Sequence, residues 1–438
     1  MERKDFVSSG KRLKVAIAGF GIEGRAILDY LKVRGGDMDI TVLDQGPVDV
    51  PKGVEAVLGA DVFDRELDYD LVWRASPSIA PSRLKTGGEV TTMTQEFFSE
   101  CPAPIIGVTG TKGKGTTAAL TADILKAAGK PVHLLGNIGV PALSKLPEIK
   151  AEDIVVFELS SFQLWDLKQS PHVAVVLMIE PDHLDVHSDL DDYLNAKSNI
   201  ARWQQLDDAV IYDGSNPLSV RVGEVGLGKK LKLPSATTAV IKTDVLSIDG
   251  QEICPVADFG LIGQHNHLNI MAALTAAWQY EKAPKAAAKA IREFKGLPHR
   301  LQVIADKQGI KFVDDSISTT PTSAIAAIKS FDGPKVIILG GSDKGADFNP
   351  LAKELSQRND TKALLMGETT GKIRVCLDNA GFKSYESLAG GMDTVVKRAS
   401  ELAGAGGSVL LSPACASFDM FKDYKDRAEQ FKAAVDKL

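Results

Sequence analysis

The chain alternates short, almost continuously apolar segments with longer segments of helical periodicity. The apolar segments include KVAIAG, ITVLD, PIIGVTG, DIVVFEL, VAVVLMI, KVIILGG and SVLLSP. Strands that are buried on both faces of a parallel sheet have this continuous Val, Ile and Leu character. Helical patterns, such as those at 116–128 and 268–280, lie between them. The alternation predicts an α/β fold with mostly parallel sheets.

Changes of pattern divide the chain. With 438 residues it is too long for one ordinary core. Prolines at 102 and 104 precede a new strand, and a turn at 296–300 follows a long helical region. Between 214 and 260 the strands are short, mixed and turn-rich, which indicates a β-rich insertion. We predict three domains, at 1–100, 101–301 and 302–438, with the insertion in the central one.

Charge and cysteine usage exclude several classes of protein. Lys plus Arg number 51 against 57 for Asp plus Glu, a net charge of -6, which argues against a protein that coats nucleic acid. The four cysteines form no C-x-x-C pair, so neither a zinc site nor a disulfide framework is indicated. The longest apolar run, at 173–179, is too short for a membrane span. We expect a cytoplasmic monomer that acts on small molecules and binds neither nucleic acid nor membrane.

The sharpest motif is the sequence GTKGKGTT at 110–117, between a predicted strand and a predicted helix. Glycines let backbone N–H groups point inward, and the helix N-terminus adds positive potential, so such a loop binds phosphate. A lysine then reaches the outer phosphates and a hydroxyl holds Mg²⁺. Gly115 stands where Ser or Thr normally follows the lysine, which leaves Thr116 as the candidate hydroxyl. The candidate ATP-binding residues are Gly110, Thr111, Lys112, Gly113, Lys114, Gly115 and Thr116. The alternative is a glycine-rich turn with a surface lysine.

A second glycine-rich turn, GFGIEG at 19–24, follows the first predicted strand, and Asp44 ends the next. This spacing fits a dinucleotide-binding fingerprint and, taken alone, suggests an NAD(P)-dependent oxidoreductase. Because a separate phosphate-binding loop is predicted at 110–117, we expect ATP to bind at that loop and another nucleotide to bind at 19–24. A tight turn that only needs glycine for packing is the structural alternative.

Further segments make the whole chain resemble the Mur ligase family, which extends the peptidoglycan stem peptide. They are GNIG at 136–139, ELSSFQL at 158–164, DHLD at 182–185, GQHNHLN at 263–269, LPHR at 297–300, GGSDKGADF at 340–348 and LSPACASFDMFK at 411–422. The resemblance implies a Rossmann-like N-terminal domain, a central P-loop-type ATPase domain and a Rossmann-like C-terminal domain. It also implies ATP-dependent addition of D-glutamate to UDP-N-acetylmuramoyl-L-alanine through an acyl phosphate.

The resemblance also assigns roles to individual residues. Lys114, His183 and Lys197 would be catalytic, and Asn266, Arg300 and Asp315 would join the loop in binding ATP. Two Mg²⁺ ions would be held by Thr116, Glu158, His183 and Lys197, with Lys197 carbamylated. The UDP-substrate would contact Gly21, Ile22, Glu23, Asp44, Ser76, Asn137 and Ser160. Glutamate would contact Thr319, Lys344, Ser417, Phe418 and Tyr424.

Several positions depart from the family pattern. Ile317 replaces a lysine and Tyr424 a phenylalanine, while Glu23 and Gly46 stand where Thr and Arg commonly help to hold uridine. An L-glutamate-adding variant therefore stays open. The GKG loop also resembles that of folylpolyglutamate synthases, which normally begin at the ATP domain. Gly115 leaves open a nucleotide-binding module without catalysis.

Overall fold

The computed structural model describes residues 12–76, 79–137, 141–184, 186–261, 263–343 and 345–438, with the backbone alone at His265. The chain forms two compact units. The first contains Met1–Phe259 and Gln264–Glu293, and the second contains Gly260–Gly263 and Phe294–Leu438. The second unit thus begins near the predicted boundary at 301. The predicted boundary near 100 lies inside the first unit, and the three-domain division stays a prediction.

The N-terminal part of the first unit is a five-stranded parallel sheet in the order β3-β2-β1-β5-β7, with a small parallel pair, β4 and β6, beside it. Its elements are β1 (Leu13–Ala18), α1 (Ile22–Arg34), β2 (Met38–Asp44), β3 (Glu55–Leu58), β4 (Glu66–Leu67), β5 (Leu71–Arg74), β6 (Lys85–Thr86), β7 (Glu89–Thr91) and α2 (Met93–Glu100).

The rest of the first unit is built on a six-stranded parallel sheet in the order β13-β12-β11-β8-β10-β9. Its elements are β8 (Ile105–Thr109), α3 (Lys114–Ala127), β9 (Val132–Gly136), β10 (Ile154–Glu158), α4 (Ser161–Leu164), β11 (Val173–Val176), α5 (Leu190–Arg202), β12 (Ala209–Asp213), α6 (Pro217–Gly223) and β13 (Lys229–Leu233). An antiparallel sheet follows, with β14 (Val240–Lys242), β15 (Val245–Ile248) and β16 (Gln251–Pro255), and then α7 (His265–Trp278) and α8 (Pro284–Glu293).

The second unit holds a six-stranded sheet in the order β17-β18-β22-β19-β20-β21, in which only the β17–β18 pair is antiparallel among the described residues. Its elements are β17 (Gln302–Lys307), β18 (Ile310–Asp314), α9 (Pro321–Lys329), β19 (Lys335–Leu339), α10 (Asn349–Ser356), β20 (Thr361–Leu365), α11 (Thr370–Asn379), β21 (Tyr385–Ser387), α12 (Met392–Ala403), β22 (Ser408–Leu411) and α13 (Tyr424–Asp436).

The central strands are buried on both faces, as their composition predicted. Every residue of β8, β10, β11, β12, β19 and β22 is buried. Because the side chains of a strand alternate between faces, each of these sheets needs an apolar layer on both sides, which the helices supply. The predicted mixed α/β fold with mostly parallel sheets is confirmed.

The predicted β-rich insertion is shorter than expected. The antiparallel strands cover only 240–255. The strand Lys229–Leu233 instead adds to the parallel sheet, and the helix Pro217–Gly223 precedes it in the chain. The helix was missed because it spans seven residues, too few for a clear apolar period. In the described part of the chain no helix is long and apolar enough to cross a membrane.

Candidate functional site

The loop between β8 and α3 has the conformation that the glycine pattern predicted. Gly113 is the residue before the first helical turn and has φ +85°, a left-handed value that favours glycine. The first helical residue is Lys114, whose Nζ donates to the carbonyl oxygens of Gly110 at 3.2 Å and Thr111 at 3.1 Å. The lysine therefore folds back over the loop, where its charge would meet an anion held at the helix N-terminus.

Helix α7 fixes the loop from the other side. A Cβ on Gly113 would lie 2.3 Å from Oδ1 of Asn269. The same Oδ1 accepts from the Thr117 hydroxyl at 3.4 Å, and Asn269 Nδ2 donates to Asn266 Oδ1 at 2.9 Å. Both asparagines are buried. Asn266 was predicted, whereas Asn269, which touches the loop, was not selected although it ends the same GQHNHLN segment.

A second lysine, Lys197, is buried beneath the loop. It is 1% exposed, and its Nζ donates to Gly110 O at 2.9 Å and to the Thr109 hydroxyl at 3.3 Å. Lys114 and Lys197 thus share one carbonyl oxygen. Burial lowers the pKa of the Lys197 ammonium well below its ordinary value, the charge of Lys114 lowers it further, and Asp182 opposes the shift. In the described part of the chain no carboxylate forms an ion pair with Lys197.

Tyr193, which the sequence analysis did not select, packs against both the loop and the buried lysine. Its hydroxyl lies 2.9 Å from the hydroxyl of Thr111, and its ring centroid lies 4.8 Å from Lys197 Nζ. Burial raises the pKa of the phenol to about 12. The Thr111 hydroxyl also donates to Glu180 O at 2.9 Å, and Lys112 lies 3.8 Å from the Glu180 carboxylate. Residues on two segments, the loop after β11 and α5, therefore hold Thr111 in place.

Glu158 ends β10 and is 6% exposed. Its Oε1 accepts from Asn137 Nδ2 at 3.4 Å, and Asn137 N donates to its backbone oxygen at 3.0 Å, so two predicted site residues lie together. No Lys, Arg or His of the described chain forms an ion pair with this carboxylate. Two residues further along, Ser160 precedes α4 and caps it through reciprocal hydrogen bonds with Gln163.

These donors suit Mg²⁺ rather than a metal caged by protein. No group of three His, Cys, Asp or Glu side chains that could enclose a metal occurs in the part of the chain that the structure describes. Mg²⁺ takes few protein ligands and completes its shell with water and phosphate oxygens. A buried, cation-free carboxylate at Glu158 and the buried Thr116 in the first turn of α3 fit that requirement.

His183 lies on the loop that follows β11, at a left-handed φ of +54°. Its side chain is 48% exposed, with Nε2 3.5 Å from the Asp182 carboxylate and its ring centroid 4.9 Å from that of Phe162. Asp185, of the same DHLD segment, lies outside the described residues. The half-exposed ring is available to a ligand, as a metal-binding histidine requires.

The predicted UDP-substrate residues of the first sheet lie around the turn after β1. Asp44 accepts from the backbone N–H of Phe20 at 2.8 Å and of Gly46 at 3.1 Å, one with each carboxylate oxygen. The carboxylate therefore braces the glycine-rich turn. A Cβ on Gly19 would lie 2.7 Å from that of Ser76, so these two strand ends nearly touch.

The helix that follows this turn presents the remaining residues of the group. Gly21 precedes α1, and Ile22 at its first position is 78% exposed. Glu23 is half-buried, and burial raises the pKa of its carboxyl while the charge of Arg74 lowers it. The turn thus offers an exposed apolar side chain beside an acid.

Arg74 was not selected from the sequence, yet it joins the two sheets of the first unit. Its guanidinium is 2% exposed and donates to both oxygens of Asp166, at 3.0 and 2.6 Å, and to Phe162 O at 2.9 Å. Asp166 follows α4 closely, so the pair connects the end of β5 to the Ser160 segment. Two regions predicted to bind the UDP-substrate are thereby held in a fixed relation.

In the second unit, Asp315 follows β18 and is 2% exposed. Its carboxylate accepts from Leu301 N at 3.1 Å and from the Ser412 hydroxyl at 2.7 Å. Burial raises the pKa of Asp315 to about 6, although its hydrogen bonds and the charge of the exposed Arg300 oppose the shift. Arg300 and Asp315, both predicted to bind ATP, are therefore neighbours.

Four of the predicted glutamate-binding residues lie on or beside two turns, one after β18 and one after β22. Thr319 and Phe418 are exposed, Ser417 is buried, and Tyr424 begins α13 with its ring centroid 5.9 Å from that of His299. Lys344 lies outside the described residues.

Arg427, which the sequence analysis missed, ties these two turns together. Its guanidinium is 1% exposed and donates to the hydroxyl and carbonyl oxygens of Ser316, at 2.9 and 2.8 Å, and to Cys415 O at 3.2 Å. Burial lowers its pKa to about 10. The sequence offered one indication of Arg427: it lies one helical turn after Tyr424, which was predicted to bind glutamate.

Comparisons with known proteins agree with this architecture. Residues 108–277 match the Mur ligase middle domain, and residues 299–415 match the Mur ligase, glutamate ligase domain. Among solved structures, MurF from Acinetobacter baumannii has a TM-score of 0.61 at 16% identity, covering 97% of this chain and 90% of that one. MurF from Thermotoga maritima in complex with ADP has a TM-score of 0.59 at 17% identity, covering 98% and 97%. These two share the fold.

Curated relatives are closer in sequence. The UDP-N-acetylmuramoylalanine--D-glutamate ligase of Clostridium novyi (strain NT) is 34% identical over 462 residues, which cover 100% of this chain and 99% of the relative. The enzyme of that name from Clostridium tetani is 34% identical over 446 residues and covers 97% of both. With its two matched domains and its full-length identity to these enzymes, the chain belongs to the Mur ligase family.

Proposed function

We propose that the protein is an ATP-dependent ligase that joins the amino group of D-glutamate to the carboxyl group of UDP-N-acetylmuramoyl-L-alanine. The observation that carries the proposal is the pair of lysines on one loop carbonyl. Lys114 lies on the glycine-rich loop and Lys197 beneath it, both within hydrogen-bond distance of Gly110 O. A purely structural turn has no need to bury an amine without a carboxylate partner, because that burial is costly.

The loop would hold the triphosphate of ATP. Backbone N–H groups of residues 110–116 at the start of α3 would bind its oxygens, and Lys114 would leave its two loop carbonyls for the outer phosphates. Asn266 and Asn269 support the loop from α7 and would limit its movement when the nucleotide binds. Preorganised donors of this kind stabilise the charge that moves during phosphoryl transfer.

Mg²⁺ would be held by Thr116, Glu158 and His183 together with phosphate oxygens, and when bound it would neutralise phosphate charge. Lys197 adds a finer proposal. Because burial lowers the pKa of its ammonium, this lysine releases its proton more readily than an exposed one, and an uncharged amine adds to CO₂ to give a carbamate and one proton. Formation of the N–C bond converts the buried amine into an anionic carbamate, which would bind a metal cation nearby.

The turn after β1 would bind the uridine end of the nucleotide-sugar substrate. Asp44 accepts two backbone N–H groups and so braces the turn. Ile22 offers an apolar surface for the flat uracil base, and Asn137 and Ser160 would contact the substrate nearer its reacting end.

The second unit would bind glutamate. Thr319 and Ser417 supply hydroxyl groups, Lys344 a positive charge for a carboxylate, and Phe418 and Tyr424 apolar walls. Arg427 holds the two turns that carry these groups. Asp315 and Arg300 would serve the nucleotide.

The reaction has two steps. A carboxylate oxygen of the alanyl residue attacks the γ-phosphorus of ATP, the bond from phosphorus to the bridging β–γ oxygen breaks, and an acyl phosphate and ADP form. The uncharged amine of glutamate then attacks the acyl carbon, and the tetrahedral adduct expels inorganic phosphate. The amine proton passes to solvent or to a nearby base. Positioning and charge neutralisation account for the catalysis.

The test is release of phosphate in the presence of ATP, UDP-N-acetylmuramoyl-L-alanine and one glutamate isomer. We expect release with D-glutamate. Release with L-glutamate alone would assign the opposite stereochemistry, and release with neither would end the ligase proposal. Lys114→Ala should abolish turnover, and Lys126→Ala, an exposed lysine in the last turn of the same helix, should not.

A further inference from the structure

A buried histidine, His187, lies among three segments that carry candidate metal ligands. It is 1% exposed. Its Nε2 lies 3.1 Å from the Ser161 hydroxyl on α4, just after Glu158, and its Nδ1 lies 3.1 Å from Asp192 Oδ2 in the first turn of α5, the helix of Lys197. Its own backbone belongs to the loop of His183. One imidazole therefore joins all three segments.

The contacts define the state of the ring. A carboxylate only accepts, so Nδ1 carries the proton toward Asp192, and Nε2 accepts from the Ser161 hydroxyl. Burial lowers the pKa of the imidazole, which favours the neutral ring, although the contact with Asp192 opposes this. Phe162 stacks on it with centroids 5.4 Å apart and planes at 8°, and the Trp165 centroid lies 4.0 Å away.

Asp192 extends the network. Its Oδ1 accepts from the Trp165 indole N–H at 2.9 Å, and its Oδ2 also accepts from Ser188 N at 3.2 Å. The order Ser161–His187–Asp192 has the connectivity of a hydrolytic triad, yet Ser161 is 3% exposed. A nucleophile needs access to its substrate, so the network serves position and not attack.

The backbone of His187 controls the turn of His183. The N–H groups of Val186 and His187 both donate to His183 O, at 3.1 and 2.9 Å. His183 has the left-handed φ of +54°, which a residue with a Cβ keeps only when its surroundings enforce it. The buried ring of His187 supplies that enforcement, because it anchors the end of the turn to α4 and α5.

We propose that His187 is a positioning residue that holds His183 in register with the Glu158 and Lys197 segments, so that a nucleotide-bound Mg²⁺ meets its protein ligands together. The proposal rests on the proposed function for the identity of the metal–nucleotide complex. Partners beyond a metal's direct ligands commonly change metal affinity or activity by about tenfold or more.

The test measures binding of ADP by calorimetry, in EDTA and across a Mg²⁺ titration, with ligase turnover measured in parallel. For His187→Ala we expect metal-free ADP affinity within about twofold of wild type, and a Mg²⁺ half-saturation point raised about tenfold. The kcat should fall with little change in the KM for ATP. His187→Asn, which keeps a donor toward Asp192, should recover part of the Mg²⁺ response.

His133→Ala is the matched control. His133 Nε2 lies 2.8 Å from Asp153 Oδ2, another His–Asp pair of the first unit, at the start of β9. Its loss should lower thermal stability and leave the Mg²⁺ response unchanged. If His187→Ala does not fold, Ser161→Ala removes one of the two hydrogen bonds of the ring and should raise the Mg²⁺ half-saturation point by less than tenfold.

Two results would overturn the proposal. One is an unchanged Mg²⁺ response in folded His187→Ala or, if that variant does not fold, in Ser161→Ala. The other is a Mg²⁺ response that changes equally in His133→Ala. The binding assay does not depend on the ligation reaction. If the wild-type protein binds ADP in a Mg²⁺-dependent manner but releases no phosphate, that result would count against the proposed function and not against the positioning role of His187.

Discussion

Replacement of Gly113 by alanine tests whether the glycine-rich loop at 110–117 depends on its contact with α7. Gly113 and Gly129 flank the same helix, α3, with nearly equal left-handed φ values of +85° and +82°. A Cβ at Gly113 would lie 2.3 Å from Asn269 Oδ1, whereas a Cβ at Gly129 would meet no atom of the described chain within 4 Å. Gly129→Ala is therefore the control for backbone strain alone.

The structure gives the size of the expected difference in stability between Gly113→Ala and Gly129→Ala. Left-handed backbone costs each alanine about 1–2 kcal/mol, and this term cancels between the two variants. Only Gly113→Ala must displace Asn269 by about 1 Å to reach ordinary van der Waals contact. That shift breaks the bonds of Asn269 to Thr117 and Asn266, each worth about 1 kcal/mol. Gly113→Ala should therefore be about 2 kcal/mol less stable than Gly129→Ala.

Urea unfolding followed by tryptophan fluorescence measures this difference, because all four tryptophans, at 73, 165, 203 and 278, lie in the first unit. A loop displaced by about 1 Å should also lower turnover about 100-fold in Gly113→Ala. In an Asn269→Ala background, which has neither the clashing oxygen nor these two hydrogen bonds, Gly113→Ala and Gly129→Ala should be nearly equal in stability. Equal stability of Gly113→Ala and Gly129→Ala would refute the reasoning.

Three further predictions follow from buried charges. Asp315→Asn should gain stability over wild type as pH rises. The folded pKa of Asp315 is about 6, above its ordinary value, so the wild-type protein loses the stability contributed by the protonated carboxyl as pH rises through that range. Urea unfolding followed by circular dichroism should show that the difference in free energy of unfolding between the two proteins changes by about 3 kcal/mol between pH 4 and 8, and a constant difference would contradict the prediction. Lys197→Met should abolish turnover while the melting temperature stays equal or rises, because it removes a buried amine that has no carboxylate partner. A clearly lower melting temperature would contradict the idea that burial of this amine costs stability. Arg74→Met should lower the free energy of unfolding by about 3 kcal/mol, because it leaves Asp166 unpaired. Adding Asp166→Leu should restore most of this loss in the same urea assay. A double variant no more stable than Arg74→Met would show that the unpaired carboxylate is not the cause.

Much of the candidate site was predictable because its residues follow one another closely in sequence. The loop 110–117 needed only a strand, glycines, a lysine and a helix in that order, and the structure has them in that order. The pairing of Asn137 with Glu158 was also foreseeable, since the carboxyl ends of neighbouring parallel strands meet at one edge of a sheet. Arg74, Tyr193, His187 and Arg427 carried no such local pattern, and each resembles an ordinary core or surface residue when considered alone.

The sequence by itself determined the mixed α/β class, the central strands and the glycine-rich loop before α3, because hydrophobic periodicity and glycine spacing act over a few neighbouring residues. Only the tertiary structure decided that the Lys197 amine is buried under Gly110 O, 87 residues away in the chain, and that Asn269 presses on Gly113. The physical reason is that desolvation and close packing depend on what surrounds a side chain in space. A lysine on a helix is a solvated cation until another segment covers it.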